Sequence, residues 1–219
     1  MLSVVVPSYN RAESLARLLS SIEAHAPSNT EVILVIQDGT AAPAWVYALY
    51  TEPSYPALAR RRGALHARGD YLLFLDDDHS LRPEFAAHWH ALATLADAPA
   101  LVSLPTRRNR HPHPRIIAMC GGMLIRRDAY FRAGGHGEDY LDDVELCLRC
   151  RWAGIAIVRY HTPITTHHYG TAGGLRSLST VHPKRTAHLR LSRLDERYPD
   201  RIVRDSRSWW GFKEIRHGR

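Results

Sequence analysis

The sequence is poor in cysteine and has no long apolar run. Cys120, Cys147 and Cys150 are the only cysteines among 219 residues, and three cysteines suit a reducing compartment better than a paired disulfide framework. The longest apolar runs, SVVVP and EVILVI, are far too short to cross a bilayer. No n-region, h-region and cleavage pattern precedes the first predicted strand. We therefore expect a cytoplasmic protein without a transmembrane segment.

The sequence also lacks a second C-x-x-C pair and a glycine-rich, lysine-bearing loop, which argues against two kinds of site. The single C-x-x-C pattern, Cys147 and Cys150, lies in a helical pattern with no second pair beside it. We therefore interpret it as buried helix packing rather than as a zinc or redox site. No glycine-rich, lysine-bearing loop follows the first predicted strand, where the sequence reads PSYNRAES. This absence argues against a nucleotidyltransferase, which is one alternative function.

Acidic residues are outnumbered by basic ones. The chain has 29 Lys and Arg against 22 Asp and Glu, a formal net charge of +7. Such a balance favours an anionic partner, whether nucleotide phosphates, nucleic acid or a membrane surface. A non-catalytic nucleic-acid-binding protein is therefore a second alternative. With 45% hydrophobic and 23% charged residues the composition is that of a globular chain, and its length suits one large domain.

Continuous apolar runs alternate with helical patterns. SVVVP (3–7) and EVILVI (31–36) flank a helix with leucines and isoleucine at helical spacing, which predicts an α/β fold with a mostly parallel sheet covered by helices on both faces. Further predicted helices cover 57–68, 83–97, 141–153 and 184–197, with a short one near Tyr130. Further predicted strands cover 71–75, 100–105, 119–127, 155–159 and 163–166. The proline-rich basic segment TRRNRHPHPR (106–115) is predicted to be a mobile loop.

Polar clusters follow the first three predicted strands: PSYN, QDG and DDDH. In open α/β sheets, ligands sit in the crevice beyond the carboxyl ends of the strands. We therefore expect Asp38 and the triplet Asp76, Asp77 and Asp78 to share one rim of the sheet. A divalent cation that also binds a diphosphate would offset the repulsion within this group. The alternative is that the three aspartates cap the turn before the helix predicted from Pro83.

The order of these motifs resembles that of a known family. SVVVPSYNR, EVILVIQDGT and ARRRGALHARGDYLLFLDDDH resemble the nucleotide-sugar half of family 2 glycosyltransferases, which have the GT-A fold. CGGMLIRRDAYFRAGGHGEDYLDDVELCLRCRWAG, followed by HHYG, resembles the acceptor-side block of that family. The resemblance covers about residues 2–170. It implies a single Rossmann-like GT-A domain over 1–170, with a nucleotide-sugar half (1–105) and an acceptor half (116–170), and a basic C-terminal extension over 171–219.

The resemblance implies how a sugar donor is bound. Asp38 would hydrogen-bond the nucleotide base, Asp76 would meet the ribose, and Asp77 could face the sugar. Arg60 matches the arginine of the family pattern A-R-N-x-G, whose asparagine is Arg61 here. Two glycines would let the donor sugar approach the backbone closely. The complete set of implied donor-binding residues is Pro7, Ser8, Tyr9, Asp38, Arg60, Asp76, Asp77, Gly121, Gly122 and Glu138.

The resemblance also implies a catalytic base and a metal site. The E-D motif of the family is Asp142-Asp143 here, so Asp143 is the candidate that deprotonates the acceptor hydroxyl. The alternative is that both aspartates cap the following helix. Asp78 and His168 are the candidate ligands for Mn²⁺ or Mg²⁺, with His167 as the alternative histidine.

One departure from the family pattern leaves the identity of the donor sugar undetermined. The family pattern G-G-F-D-E is GGHGE here, with His136 and Gly137 in place of the aromatic and the first acidic residue. Glu138 remains and is expected to contact sugar or acceptor.

Together these motifs predict a metal-dependent glycosyltransferase. A nucleoside-diphosphate sugar, with a UDP-sugar as the first choice, would lose its sugar to an acceptor hydroxyl in an inverting displacement, and a retaining outcome stays open. The basic loop and tail, which include Trp209, Trp210 and Phe212, are interpreted first as a tail docked onto its own domain. The alternative is contact with an anionic acceptor, such as modified nucleic acid, lipid or glycan.

Overall fold

Strands and helices alternate along the first half of the chain. The computed structural model describes residues 1–108, 122–137, 142–168, 194–204 and 212–214. The strands are β1 (Leu2–Ser8), β2 (Thr30–Ile36), β3 (Tyr47–Tyr50), β4 (Tyr71–Phe74), β5 (His79–Leu81), β6 (Ala100–Ser103), β7 (Thr106–Arg108), β8 (Met123–Arg126), β9 (Ala156–Arg159), β10 (Thr165–His167), β11 (Ile202–Arg204) and β12 (Phe212–Glu214). The helices are α1 (Ala12–His25), α2 (Pro56–His66), α3 (Phe85–Asp97), α4 (Arg127–Arg132), α5 (Asp142–Trp152) and α6 (Leu194–Arg197).

A seven-stranded sheet forms the centre of the fold, in the order β3-β2-β1-β4-β8-β6-β9. The first four strands in that order are mutually parallel. Strand β8 is antiparallel to both β4 and β6, and β6 is parallel to β9. The predicted α/β fold with a mostly parallel central sheet is therefore confirmed.

Helices cover both faces of this sheet because its inner strands are apolar on both sides. Val4 and Val6 of β1 pack into a cluster with the buried face of α1, whereas Val5 between them packs into a cluster with α2 and α5 residues. This is the two-residue alternation of a strand. The predicted apolar stripe of α1 is buried, at Leu15, Leu18, Leu19 and Ile22. None of the described helices combines the length and the apolar character that a bilayer crossing requires.

A second, three-stranded sheet lies beyond the aspartate triplet, in the order β5-β10-β7. The sequence did not predict β5, which begins at His79 directly after the triplet. The predicted mobile loop 106–115 instead begins with β7, which pairs with β10, and its remainder from 109 on lies outside the described residues. The helix predicted from Pro83 begins at Phe85. Because a strand separates the triplet from that helix, the aspartates do not cap it.

The described part of the C-terminal region contacts the rest of the fold. The hydroxyl of Tyr198, just after α6, accepts a hydrogen bond from Arg149 Nε at 2.8 Å. The ring of Tyr198 meets Trp152 edge to face, with centroids 4.9 Å apart. Both partners lie on α5, so this part of the predicted extension docks on the domain. The boundary at 170, and Trp209 and Trp210, lie outside the described residues.

Candidate active site

Three strands bring their polar ends to one rim of the central sheet. Strand β1 ends at Ser8, β2 ends just before Asp38, and β4 ends just before the triplet. The strand order reverses direction between β1 and β4, which is where ligand crevices form in open α/β sheets. The hydroxyl of Ser8 donates to Asp77 Oδ2 at 3.1 Å. The expected shared rim is therefore present.

Asp38 ties the ends of β1 and β2 together. Its carboxylate accepts hydrogen bonds from the backbone amides of Thr40, at 3.0 Å, and Asn10. Gly39 lies in the turn from Asp38 to Thr40, and its φ of +76° favours glycine. Burial opposes ionisation of Asp38, but the two amides hold its pKa below the ordinary value. The end of β1, which carries Pro7 and Ser8, is thereby anchored beside Asp38, together with the following Tyr9.

The first two aspartates of the triplet have different surroundings. Asp76 is partly exposed and forms an ion pair with Arg60 of α2. Asp77 points inward, where Ser8 donates to one oxygen and Arg11 to the other. Burial raises the pKa of Asp77 to about 6, an effect that Arg11 opposes and the neighbouring aspartates Asp78 and Asp76 reinforce. The pKa of Asp77 is therefore higher than that of an ordinary aspartate.

Asp78 is surrounded by cationic and imidazole groups. Arg11 Nη1 lies 2.7 Å from Asp78 Oδ2, His167 Nε2 lies 3.3 Å from the same oxygen, and His79 Nδ1 lies 2.9 Å from Oδ1. Burial opposes ionisation of Asp78, but contacts with His167 and His79 hold its pKa far below the ordinary value. Asp78 therefore stays ionised and is suited to bind a cation.

The register of the small sheet selects the histidine beside Asp78. Antiparallel pairing of β5 with β10 places His167 opposite His79, and their rings stack with centroids 4.6 Å apart and planes 8° apart. Ligand atoms of Asp78, His79 and His167 lie within 4.8 Å of one another, so these three residues could hold a metal ion.

The predicted ligand His168 lies outside this group. Its Nε2 atom is 2.8 Å from the hydroxyl of Ser80, while its backbone amide donates to the Asp78 carbonyl at 2.8 Å. The structure thus places His167, the alternative histidine, next to Asp78. The metal-binding role of His168 stays a prediction.

The candidate base and the triplet both contact Arg60. Asp143 lies in the first turn of α5, and its Oδ1 atom is 3.7 Å from Nη1 of Arg60. The same guanidinium pairs with Asp76 through Nη2. A single buried side chain therefore connects the two predicted halves of the domain at the rim.

The family follows from sequence comparison. A family model described as glycosyl transferase family 2 matches residues 3–118, more than half of the chain. The chain belongs to glycosyl transferase family 2. A curated relative, an uncharacterized glycosyltransferase of Haemophilus influenzae, is 39% identical over 93 residues, which are 38% of this chain and 31% of the relative. The family predicted from the motifs is confirmed.

Solved glycosyltransferase structures share the fold. S. aureus TarS 1-349 in complex with UDP-GlcNAc matches with a TM-score of 0.67 and 16% identity, over 88% of this chain and 64% of TarS 1-349. The mannosyltransferase PcManGT from Pyrobaculum calidifontis, in complex with GDP-Man and Mn²⁺, matches with a TM-score of 0.62 and 19% identity, over 78% of this chain and 58% of PcManGT. The chain therefore spans less than two thirds of the length of each of these two structures.

The remaining predicted donor residues fall in and around the acceptor half. Gly121 and Glu138 lie outside the described residues. Gly122 is buried, and a Cβ there would lie 3.1 Å from the Cβ of Leu104 and 3.5 Å from Leu75 Cδ2. Gly122 thus packs against the apolar core, and its expected role in sugar approach stays a prediction.

Two residues at the rim received no binding role from the sequence. Arg11 ends the PSYNR motif and bonds aspartates 66 and 67 residues away. His79 follows the triplet directly and stacks on His167. Their positions next to family motifs were the only signal, because the contacts themselves depend on how distant strands pair.

Proposed function

We propose that this family 2 chain is a metal-dependent glycosyltransferase that moves a sugar from a nucleoside-diphosphate sugar to an acceptor hydroxyl. The observation that carries the proposal is the rim itself, where Arg11 and Arg60 contact the triplet, Arg60 also approaches Asp143, and Asp38 accepts from the amide of Asn10. The neighbours TarS, in complex with UDP-GlcNAc, and PcManGT, in complex with GDP-Man and Mn²⁺, support a nucleotide-sugar donor. A UDP-sugar is the first donor to test.

The residues at Asp78 fit a divalent cation. An ionised carboxylate and two imidazoles are a ligand set that Mn²⁺ accepts, whereas Mg²⁺ prefers oxygen ligands. Asp78 and His167 would hold the ion, with the ring of His79 stacked behind that of His167. When bound, such an ion offsets the negative charge that develops on the leaving diphosphate.

The protein's own groups would position the reactants. Asp38, together with Pro7 and Ser8 at the end of β1 and the following Tyr9, would hold the nucleotide base, and Asp76 would bind the ribose. Asp143 would take the proton of the acceptor hydroxyl, since its carboxylate lies 3.7 Å from Arg60, the arginine that also pairs with Asp76. A base and a leaving group on opposite sides of the anomeric carbon give inversion.

The acceptor is proposed to be anionic, on the strength of the net charge of +7. A lipid, a glycan or a modified nucleic acid with phosphate groups would satisfy this requirement. A transfer assay with candidate acceptors identifies the acceptor class, because only an acceptor that the enzyme uses yields product.

The proposal is tested by thermal shift followed by mass spectrometry. Mn²⁺ together with uridine, guanosine or thymidine diphosphate sugars should raise the melting temperature with at least one donor. Asp78→Ala should abolish this shift, because the carboxylate at the centre of the metal group is lost. Asp70→Ala is the matched control, since Asp70 lies at the opposite end of β4 and pairs with the terminal amine. Absence of a shift with every donor would contradict the proposal. Donors that shift the protein are then incubated with candidate acceptors, and the product mass identifies the transferred sugar.

A further inference from the structure

Arg11 is a buried cation held between two aspartates of the triplet. It stands at the junction of β1 and α1, and its Nη1 atom lies 3.0 Å from Asp77 Oδ1 and 2.7 Å from Asp78 Oδ2. Only 10% of its side chain is exposed. Burial works against the charge of Arg11, but Asp77 and Asp78 hold its pKa above the ordinary value. The guanidinium is therefore a permanent positive charge at this rim.

Arg11 and an ion bound between Asp78 and His167 would share one carboxylate oxygen. The oxygen that Arg11 contacts, Asp78 Oδ2, is the one that His167 Nε2 approaches to 3.3 Å. An ion bound by Asp78 and His167 would lie against the Arg11 guanidinium. Two cations at that separation, shielded from solvent, repel each other strongly. Movement of the guanidinium away from Asp78 would relieve this repulsion.

A displaced Arg11 has a suitable partner in the donor. A guanidinium binds phosphate oxygens as well as carboxylate oxygens, in the same two-pronged geometry. The donor's diphosphate is the anion expected beside the metal. Arg11 would therefore exchange carboxylate oxygens for phosphate oxygens when metal and donor are both present.

We propose that Arg11 is an internal counter-cation that competes with the divalent ion for Asp78 and, once displaced, binds the donor's diphosphate. Arg11 thereby lowers the affinity of the protein for the metal alone, because the ion must displace it. Metal and nucleotide bind cooperatively, since the diphosphate offers the displaced guanidinium a new partner. This proposal rests on the metal-dependent function proposed above. The competing view is that Arg11 is a fixed clamp between α1 and the triplet, which the metal leaves in place.

The test measures Mn²⁺ affinity by isothermal titration calorimetry, without nucleotide. Arg11→Met should bind Mn²⁺ about tenfold more tightly than the wild type, within the usual range of coupling between sites. Arg11→Gln keeps hydrogen-bonding groups beside the aspartates without the charge, and it should show the same gain if Arg11→Met folds poorly. Arg11→Lys keeps the charge and should stay close to the wild type. Arg68→Met is the matched control, because it also removes an arginine from a carboxylate pair, with Glu31, but at the opposite end of the sheet.

The same titrations are then repeated with UDP or GDP. Each nucleotide should raise the Mn²⁺ affinity of the wild type by a larger factor than that of Arg11→Met. If Arg11→Met and Arg11→Gln bind Mn²⁺ no more tightly than the wild type, Arg11 does not compete and the proposal is overturned. If neither the wild type nor any variant binds Mn²⁺, the proposed metal dependence of the enzyme is also wrong. Sugar transfer that persists in the presence of a chelator would show the same result independently.

Discussion

Arg60 Nη1 lies 3.7 Å from Asp143 Oδ1, across the boundary between the two predicted halves of the domain. Arg60 belongs to α2, on the nucleotide-sugar side, and Asp143 opens α5, on the acceptor side. Arg60 also pairs with Asp76, so one buried guanidinium contacts both the triplet and the candidate base.

Asp143→Asn tests the base directly. Transfer should fall by about 10²–10⁴-fold, the usual contribution of a general base, because an amide cannot accept the acceptor proton. Donor binding should persist, since the triplet and Asp38 are unchanged, and the thermal shift with Mn²⁺ and donor measures it. Asp128→Asn serves as the control, because Asp128 is exposed on α4 and pairs with Arg126. Full transfer by Asp143→Asn would remove Asp143 from the base role.

His167→Ala and His168→Ala should differ in metal affinity. Loss of His167 removes the imidazole next to Asp78 Oδ2, and Mn²⁺ binding should weaken about tenfold or more. Loss of His168 removes a contact with Ser80 but leaves its backbone bond to Asp78, so Mn²⁺ affinity should change little. Calorimetric titration of each variant with Mn²⁺ decides between them. The reverse order would assign the ligand role to His168, as the motif first implied.

Glu145 on α5 is predicted to stabilise the docked C-terminal region. Its Oε1 atom accepts hydrogen bonds from Arg149 at 2.7 Å, Arg197 at 2.6 Å and Tyr198 at 3.0 Å, and its side chain is 1% exposed. Glu145→Gln leaves these guanidinium groups without their buried counter-charge. The free energy of unfolding should fall by about 3 kcal/mol, the lower end for a broken buried pair because Arg197 is partly exposed.

Urea denaturation measures this loss, and Glu13→Gln is the matched control. Glu13 pairs with Arg17 on the exposed face of α1 with the same four-residue spacing that joins Glu145 to Arg149. Its removal should cost far less, because exposed pairs contribute little. Equal losses in the two variants would show that burial of Glu145 is not what stabilises the contact.

His136 is predicted to make stability fall in mild acid. The side chain is fully buried, with its ring edge-on to Phe74 at 4.6 Å between centroids. Burial, aided by Arg60 and Arg149, holds its pKa well below 6.5. The unfolded chain therefore binds a proton that the folded chain does not, so stability is full above pH 6.5 and declines as the pH drops below that value. The decline between about pH 7 and pH 5 amounts to about 2 kcal/mol for this group.

His136→Phe should remove that part of the decline, since phenylalanine does not titrate and an aromatic residue is usual at this position of the family pattern. Urea denaturation at the two pH values gives the difference. Tyr130→Phe is the control, because it deletes the hydroxyl that contacts His136 while keeping the buried imidazole, and its cost should be the same at both pH values. An unchanged pH dependence in His136→Phe would contradict the assignment.

A departure from the family pattern also has a structural explanation. Gly137 stands where the family usually has an acidic residue, and a Cβ there would overlap the Glu145 carboxylate. The glycine thus permits a buried glutamate on α5 to approach the turn. The sequence showed the departure but not its partner.

The α/β fold was predictable because it follows from short sequence patterns, each contained within one strand or helix. Continuous apolar runs in β1 and β2 require burial on both faces, and a parallel sheet with helices on each side provides it. Parallel strands then place their carboxyl ends at one edge, so the position of Asp38 and the triplet on one rim followed from the order of the motifs. The same order identified the family.

Tertiary structure decided which neighbours face each other at the rim. Adjacent strand residues point to opposite faces, so a shift of one residue in the pairing of β5 with β10 would exchange His167 for His168 beside Asp78. The contacts of Arg11 with the triplet and of Arg60 with Asp143 likewise join segments far apart in the chain. Composition and motif order alone determined the type of sheet and the family. Strand register and helix packing determined which side chains meet at the rim, because such contacts join distant segments and no local sequence pattern encodes them.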